Sequence, residues 1–178
     1  MKKISTLLLL LLLTTASCEK DDICPESTPT TPKLILRFYD ISNQDDTKSV
    51  TDLRVTGFDE NNEEVDISNL NIVTTDSINL PLRTDTDVTK FIFHKDYDVD
   101  DNGTPDNPDD DITLGNPDIV TISYQREDVY VSRACGFKTI FNNLTISVEL
   151  DGDNWIVNSE IINSVVENET TAHVKIFH

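Results

Sequence analysis

The sequence predicts an all-β protein, an antiparallel β-sandwich or partly open barrel of about eight or nine strands. Apolar residues recur with a period of two along several short segments, polar turn clusters separate these segments, and no long apolar stripe has the spacing of a helix. Residues 161–167 are ambiguous, because their apolar side chains also fall on one face of a short helix.

The first half of the chain contains three strand candidates. Alternate apolar residues define their buried faces: Leu34, Leu36 and Phe38, then Leu53 and Val55, then Ile78, Leu80 and Leu82. Pro81 interrupts the last candidate. Because proline has no backbone donor, this strand is expected at a sheet edge or a bulge.

The second half of the chain contains further candidates of the same kind. Their ranges are 88–94, 119–125, 129–133, 138–150, 154–166 and 172–177. Alternation is clearest from Leu144 to Leu150, where apolar and polar residues take turns as in a half-buried antiparallel strand. Residues 151–154, Asp-Gly-Asp-Asn, then predict a turn, and residues 155–157 begin the partner strand of a hairpin.

The chain begins with an export signal. Two lysines precede a short apolar run at residues 7–13, and small residues follow it. This arrangement is typical of a secretory signal peptide, here residues 1–17. The apolar run is too short to span a bilayer as a permanent helix.

The residues around the cleavage position resemble sorting signals of bacterial lipoproteins. Thr15 to Cys18 resembles a relaxed lipobox, common in the Bacteroidota, with Thr15 where Leu is usual. It implies that Cys18 is acylated and begins the mature chain, whereas an ordinary secreted protein would leave Cys18 paired or free. Glu19-Lys20-Asp21-Asp22 resembles the signal for the outer face of the outer membrane, or is only a charged linker. The expected localisation is lipid-anchored at the outer membrane, on the cell surface or the periplasmic face.

The mature chain is expected to consist of a tether and one domain. Residues 18–32 carry the lipidated cysteine and a proline-rich extended tether, and residues 33–178 form a single β-rich domain. The formal net charge of −19 argues against nucleic acid as a partner and against direct electrostatic attachment to anionic lipid. Attachment to the bilayer should therefore come from the acyl chains.

The three cysteines suggest two different roles. With Cys18 acylated, Cys24 and Cys135 remain, and an exported chain meets an oxidising compartment in which two leftover cysteines usually pair. We therefore expect a Cys24–Cys135 disulfide. The alternative is a buried Cys135 with Cys24 free in a mobile tether.

A strongly acidic loop is predicted at residues 96–111, which we call the acidic segment. It contains no basic residue, so its carboxylates repel one another unless a cation intervenes. Oxygen-bearing residues have the spacing of a calcium loop: Asp98, Asp100, Asn102, Thr104, Asp106 and Asp109. We expect a structural Ca²⁺ ion here; the alternative is a solvated loop that binds no ion tightly.

The same residues resemble the calcium-binding repeats of thrombospondin type 3. They differ from an EF-hand because Asp109 replaces the bidentate glutamate, two prolines stiffen the second half, and no helical pattern flanks the loop. The resemblance is local, and it implies an ion that stabilises the loop without opening a helix pair.

No catalytic motif is present in the sequence. It contains no Gly-x-Ser-x-Gly, no His-Glu-x-x-His and no glycine loop for phosphate, and its three histidines are isolated in strand-like segments. We expect a protein that is not an enzyme. The alternatives are an envelope hydrolase acting on a glycan or peptide, and an assembly factor for an envelope complex.

Two short motifs in the domain strengthen the lipoprotein interpretation. Residues 116–119, Asn-Pro-Asp-Ile, and 132–136, Ser-Arg-Ala-Cys-Gly, resemble an uncharacterised family of small Flavobacterium-type lipoproteins of unknown function. Ser77, within Asp-Ser-Ile, also resembles an acceptor of Bacteroidota O-glycosylation. The family resemblance implies no activity. We therefore expect an envelope lipoprotein that acts as a non-catalytic binding or structural module, with a protein or a glycan as its partner.

Overall fold

The computed structural model describes residues 23–178 as an almost entirely β-structured chain. The strands are β1 (Leu34–Asp40), β2 (Asn43–Thr47), β3 (Val50–Phe58), β4 (Glu64–Asp66), β5 (Val73–Thr75), β6 (Ser77–Leu80), β7 (Val88–Asp100), β8 (Ile112–Ser132), β9 (Gly136–Val148), β10 (Asn158–Ile161) and β11 (Val174–Phe177). A short 3-10 turn occupies Pro108–Asp110. In the part of the chain that is described, no helix is long and apolar enough to cross a membrane.

The strands form two sheets that face each other as a β-sandwich. One has the order β10-β11-β1-β2, with β6 also paired to β1, and the other has the order β4-β3-β7-β8-β9, with β5 also paired to β3. The β1–β11 pair is parallel, and the other strand pairs are antiparallel. The predicted fold class is confirmed.

The core lies between the sheets and is built by the period-two faces of the strands. In β1 the predicted face of Leu34, Leu36 and Phe38 is fully buried. The larger sheet contributes apolar residues from β3, β7 and β8, notably Leu53, Val55, Phe91, Phe93, Val120 and Ile122. Truncating one of the large aromatic residues to alanine would cost about 3–5 kcal/mol, because the rigid sheets cannot close the resulting cavity.

β8 is the longest element of the fold, with 21 residues. Two separate strands, 119–125 and 129–133, were predicted in this region. Polar residues from Gln125 to Asp128 break the apolar alternation, but the backbone continues to pair with β9 through this stretch. Bulges after Ser123 and Tyr130 adjust the register without ending the strand. The outcome is one strand that links two long hairpins.

The predicted hairpin at residues 144–157 is wrong. β9 ends at Val148, Leu150 is 89 % exposed, and residues 155–157 are not a strand. The Trp155 indole N–H donates to the Phe93 carbonyl (3.1 Å), which holds this segment across the sandwich. The chain then enters the other sheet, where β10 pairs with β11.

The alternative of a short helix at 161–167 is not adopted either. Ile161 ends β10, and Val166 forms an isolated antiparallel bridge with Phe141 of β9. The apolar residues that fit a helical face thus divide between two strand-like contacts. Val166 is completely buried, while Ile162 is exposed.

Candidate functional site

The C-terminal end of β8 is closed by a disulfide. Cys24 and Cys135 form the predicted bond, with their Cα atoms 4.9 Å apart and 111 positions apart in the sequence. Cys135 lies in the tight turn between β8 and β9, where its backbone N–H donates to the Ser132 hydroxyl (3.0 Å). Gly136 follows with a φ of +70°, which a glycine adopts without strain. We call residues 129–141 the disulfide hairpin.

The segment after Cys24 lies against this hairpin. The Thr139 backbone N–H donates to the Thr31 hydroxyl (3.0 Å), and the Cys135 sulfur is 3.6 Å from the Thr28 hydroxyl. Further along the chain, the Lys33 backbone N–H donates to the Glu169 carboxylate (3.0 Å). The second half of the predicted tether is therefore attached to the domain.

Large apolar side chains are exposed at the disulfide hairpin. Tyr130 and Phe137 are directly opposite each other in the β8–β9 register, and their ring centroids are 5.4 Å apart in an edge-to-face arrangement. They are 59 % and 67 % exposed. Ile23 is 78 % exposed and shares with Tyr130 the lining of a shallow groove of about 630 Å³.

The acidic segment occupies the opposite end of β8. Asp96 to Asp100 complete β7, so only residues 101–111 are a loop. Its turns are closed by local hydrogen bonds, in which the Asn102 and Gly103 backbone N–H groups donate to the carboxylates of Asp100 (3.0 Å) and Asp101 (2.9 Å). These charge-assisted bonds satisfy part of the carboxylate oxygens and explain the sharp bend.

The residues predicted as calcium ligands are distributed along this end. Asp98 and Asp100 lie two positions apart in β7 and therefore on one face of the strand, whereas the other four lie in the loop or the 3-10 turn: Asn102, Thr104, Asp106 and Asp109. All six are exposed. The Thr104 hydroxyl donates to the carboxylate of Asp110 (2.8 Å), a residue that the spacing did not nominate. Among residues 23–178, no three His, Cys, Asp or Glu side chains are grouped as a metal site.

A cavity of about 430 Å³ opens between the two sheets. Its wall is mostly apolar, with Phe58, Leu82 and Phe91 among its lining residues. At one side Thr89 and Tyr124 share a buried hydroxyl contact of 2.6 Å, and Tyr124 also donates to the Arg83 carbonyl (2.8 Å). These hydrogen bonds satisfy the hydroxyls of Thr89 and Tyr124 beside the cavity and bring no acid–base pair together.

One buried carboxylate was not recognised from the sequence. Asp118 in β8 is 0 % exposed, and its Oδ2 accepts the Ile156 backbone N–H (2.8 Å), while Oδ1 has no partner among the described residues. Burial raises the pKa of this carboxyl above its ordinary value. The contact fixes the segment after β9 to the N-terminal third of β8. An Asp in an otherwise apolar face of a strand is the signal that would have identified it.

The histidines are separated in the structure and each has its own packing environment. His173 is buried, and its Nδ1 accepts the Ile35 backbone N–H (3.1 Å). His178 packs edge-on against Phe38 and Trp155. Burial lowers the pKa of both imidazoles, and also that of His94 on the outer face of β7. His173 therefore links the start of β11 to β1 within one sheet, and His178 packs between β1 and the segment that carries Trp155.

Several predicted features lie outside the described residues. They are the signal peptide at 1–17, the acylation position Cys18 and the charged sequence that follows it. Ser77 is described: it begins β6, and its hydroxyl donates to the Leu36 carbonyl (3.2 Å).

Comparison with known proteins gives a family without an activity. Residues 52–178 match the model of a family described as "Family of unknown function (DUF6452)". This range starts within β3 and includes the whole of β7, β8 and β9. No curated protein and no solved structure matches the chain.

Proposed function

Because the chain belongs to the family of unknown function DUF6452, we propose its role from its own geometry. It is an envelope lipoprotein anchored at the outer membrane through acylated Cys18, and its β-sandwich is a non-catalytic binding or structural module. The observation that carries this proposal is the placement of the disulfide and the acidic segment at opposite ends of β8.

The disulfide determines which end of the domain is near the anchor. Cys24 is six positions after Cys18, and six residues reach at most about 20 Å when fully extended. The disulfide hairpin must therefore lie close to the acylated residue. A 21-residue strand with a rise of about 3.3 Å per residue is roughly 65 Å long when straight. The acidic segment is accordingly held away from the bilayer.

Charge supports the same orientation. The chain has a net charge of −19, and the acidic segment concentrates negative charge at the end far from the anchor. Anionic lipid repels such a surface, whereas a basic patch on a protein, or a hard cation, is attracted to it. We propose the acidic segment as the surface that meets the partner, and a protein as its first candidate ahead of a glycan.

We propose calcium as the ion for this segment. Asp98 and Asp100 present their carboxylates on one face of β7, and Thr104 and Asp110 draw the loop closed beside them. Hard oxygen ligands without nitrogen or sulfur ligands suit calcium better than zinc. An ion bound only by the folded state must raise the melting temperature. After chelation, millimolar calcium should raise the melting temperature of the wild type. The double variant Asp106→Asn, Asp109→Asn should show a smaller rise. A wild-type melting temperature that calcium leaves unchanged contradicts the proposal.

Anchoring is tested by the mass of the mature protein. Chains isolated from the membrane fraction should begin at Cys18 and carry the mass of acyl groups, while Cys18→Ala should leave the membrane fraction. In this proposal Cys18 alone carries the lipid, so the Cys24→Ala, Cys135→Ala double variant should remain in the membrane fraction. A mature wild-type chain without acyl mass would overturn the proposal.

Partner binding is tested by capture from detergent-solubilised membranes. Asp106, Asp109 and Asp110 are changed together to Asn, and a control variant with the same charge change carries Asp45→Asn, Glu60→Gln and Glu63→Gln at exposed positions elsewhere. A stoichiometric partner should be retained by the wild type and the control and lost by the first variant. Equal retention by all three would exclude the acidic segment as the binding surface.

A further inference from the structure

We infer that the disulfide hairpin rests on the lipid surface, with Tyr130, Phe137 and Ile23 inserted at the bilayer interface. This inference rests on the proposed lipid anchor at Cys18, but it concerns a second, non-covalent contact. It assigns a lipid surface to an apolar patch that no part of the protein covers in the described structure.

The position of the aromatic pair explains why it is exposed. In β9, Thr139 and Phe141 point into the sandwich, and Phe137 belongs to the same face by alternation. Tyr130 is on this face of β8, opposite Phe137. On this face Arg126 and Asp128 lie opposite Phe141 and Thr139, and beyond them the aromatic pair is left uncovered by the other sheet. An exposed apolar patch of this kind indicates a surface for a partner.

The charge of the hairpin differs from that of the whole molecule. From Val129 to Phe141 the chain contains the basic residues Arg133 and Lys138 and no acidic residue, but Asp128 lies opposite Thr139 and Glu26 lies in a groove with Cys135 and Lys138. Lys138 donates to the Glu167 carbonyl (3.1 Å). Two basic and two acidic residues balance here, so in a chain with a net charge of −19 anionic headgroups repel this end less than they repel the acidic segment.

The covalent path from the anchor selects lipid as the occupant of this patch. The described structure begins at Ile23, five positions after Cys18, and Cys24 is bonded directly into the hairpin. About 20 Å of extended chain is the greatest distance that the connection allows. Tyrosine and other amphipathic aromatic side chains favour the level of the headgroups, where the ring is apolar and the hydroxyl is hydrated.

The experiment places a tryptophan at each end of β9. Phe137→Trp reports on the patch, and Leu150→Trp is the matched control, because Leu150 is still more exposed at 89 % and follows the other end of the same strand. Trp155 supplies a constant background, because it is buried. The chain from residue 18 onward, which contains every described residue, is coupled through the free Cys18 thiol to a maleimide lipid in phosphatidylcholine–phosphatidylglycerol vesicles with brominated acyl chains.

Insertion predicts quenching and a shift to shorter wavelength for Phe137→Trp, with no change for Leu150→Trp. An unquenched Phe137→Trp would overturn the inference, and so would equal quenching at both positions, which indicates a molecule lying flat on the bilayer. Far-ultraviolet circular dichroism establishes that each variant is folded, and the wild type, whose single tryptophan is Trp155, gives the background emission to be subtracted. Chemical coupling replaces natural acylation, so this result is independent of the mass measurement that tests the anchor itself.

Discussion

The two ends of β8 are built from the same backbone pattern and differ in almost every other respect. At the C-terminal end a disulfide closes the hairpin, aromatic rings are exposed, and basic and acidic residues balance. At the N-terminal end hydrogen bonds alone close the loop, and the side chains are acidic. The covalent end is insensitive to salt, whereas the acidic end depends on the ions around it. One strand therefore places the disulfide and the acidic segment at opposite ends of the domain.

The largest effect should come from removing the covalent closure. Changing Cys24 and Cys135 to Ser frees a span of 111 residues, for which the chain-entropy model gives about 4–5 kcal/mol as an upper value. Urea unfolding should show a lower midpoint for this double variant, and the reduced wild type should match it. Cys18→Ser is the control, since its thiol is outside the pair. Equal midpoints for all variants would show that the disulfide has no stabilising role.

A second variant tests how the acidic end is shaped. Gly115 has a φ of +103°, and a Cβ there would lie 2.6 Å from the backbone oxygens of Asp96 and Lys95. Gly115→Ala should cost about 2–5 kcal/mol through backbone strain and overpacking. Gly103→Ala is the matched control, because its φ of +75° is also positive but nothing lies within 4 Å. Thermal unfolding should give Gly115→Ala a much lower melting temperature than Gly103→Ala. The reverse order would contradict the close packing of Gly115 against the backbone of Lys95 and Asp96.

Between the two ends, Asp118 of β8 attaches the segment at residues 155–157. Asp118→Ala removes the acceptor of the Ile156 N–H and leaves a buried donor unsatisfied, at a cost of about 1–3 kcal/mol. Hydrogen exchange of the amides at 155–157 should accelerate first, since that segment loses its attachment to β8. Unchanged exchange there would show that the contact is dispensable.

Asp118 also gives a pH dependence with a definite sign. Burial raises the folded-state pKa of this carboxyl. Its contribution to stability is therefore fully present below the unfolded-state pKa and is lost as the pH rises through the folded-state value. Asp118→Asn lacks this contribution. Urea unfolding from acidic to neutral pH should show the stability of the wild type relative to Asp118→Asn decreasing as the pH rises; a constant difference would mean that the carboxyl is not perturbed.

The smallest effect concerns the hydrogen bond within the acidic segment. Thr104→Val keeps the shape of the side chain and removes the donor to Asp110, and because the pair is exposed the loss should be below about 1 kcal/mol. Thr113→Val is a useful control in the adjacent exposed part of β8. Added salt should stabilise wild type and both variants through screening, and a salt-independent melting temperature would contradict the view that carboxylate repulsion limits this end.

The strand pattern was predictable where one face of a strand is buried. Leu34, Leu36 and Phe38 alternate with polar neighbours, and the structure buries all three. The prediction of strands failed in two places: where backbone pairing continued although the side chains are exposed, and where a side chain is buried although its segment pairs with no strand. β8 passes through the polar residues 125–128 as a strand, and Trp155 is buried in a segment that belongs to neither sheet. The period-two pattern in the sequence indicates which side chains a strand buries. Backbone hydrogen bonds between strands do not depend on side-chain type and leave no such pattern.

The candidate site divides in the same way. The calcium-ligand spacing predicted a single loop at residues 96–111, but Asp98 and Asp100 belong to β7. The spacing selected Asp109, whereas the Thr104 hydroxyl bonds to Asp110. The exposed pair of Tyr130 and Phe137 was not anticipated at all. Tyr130 lies in the predicted strand 129–133 and Phe137 directly before the predicted strand 138–150; their exposure depends on where the opposite sheet ends.

By itself, the sequence determined the β-class, the buried face of β1, the pairing of Cys24 with Cys135 and the concentration of acid between β7 and β8. These are consequences of local alternation, composition and cysteine number. Only the tertiary structure decided that one strand joins the disulfide to the acidic segment, that Asp118 is buried, and that the aromatic pair remains open. Strand length, burial and exposure depend on which distant segments pair across the sandwich, and residues far apart in sequence carry no local sign of that pairing.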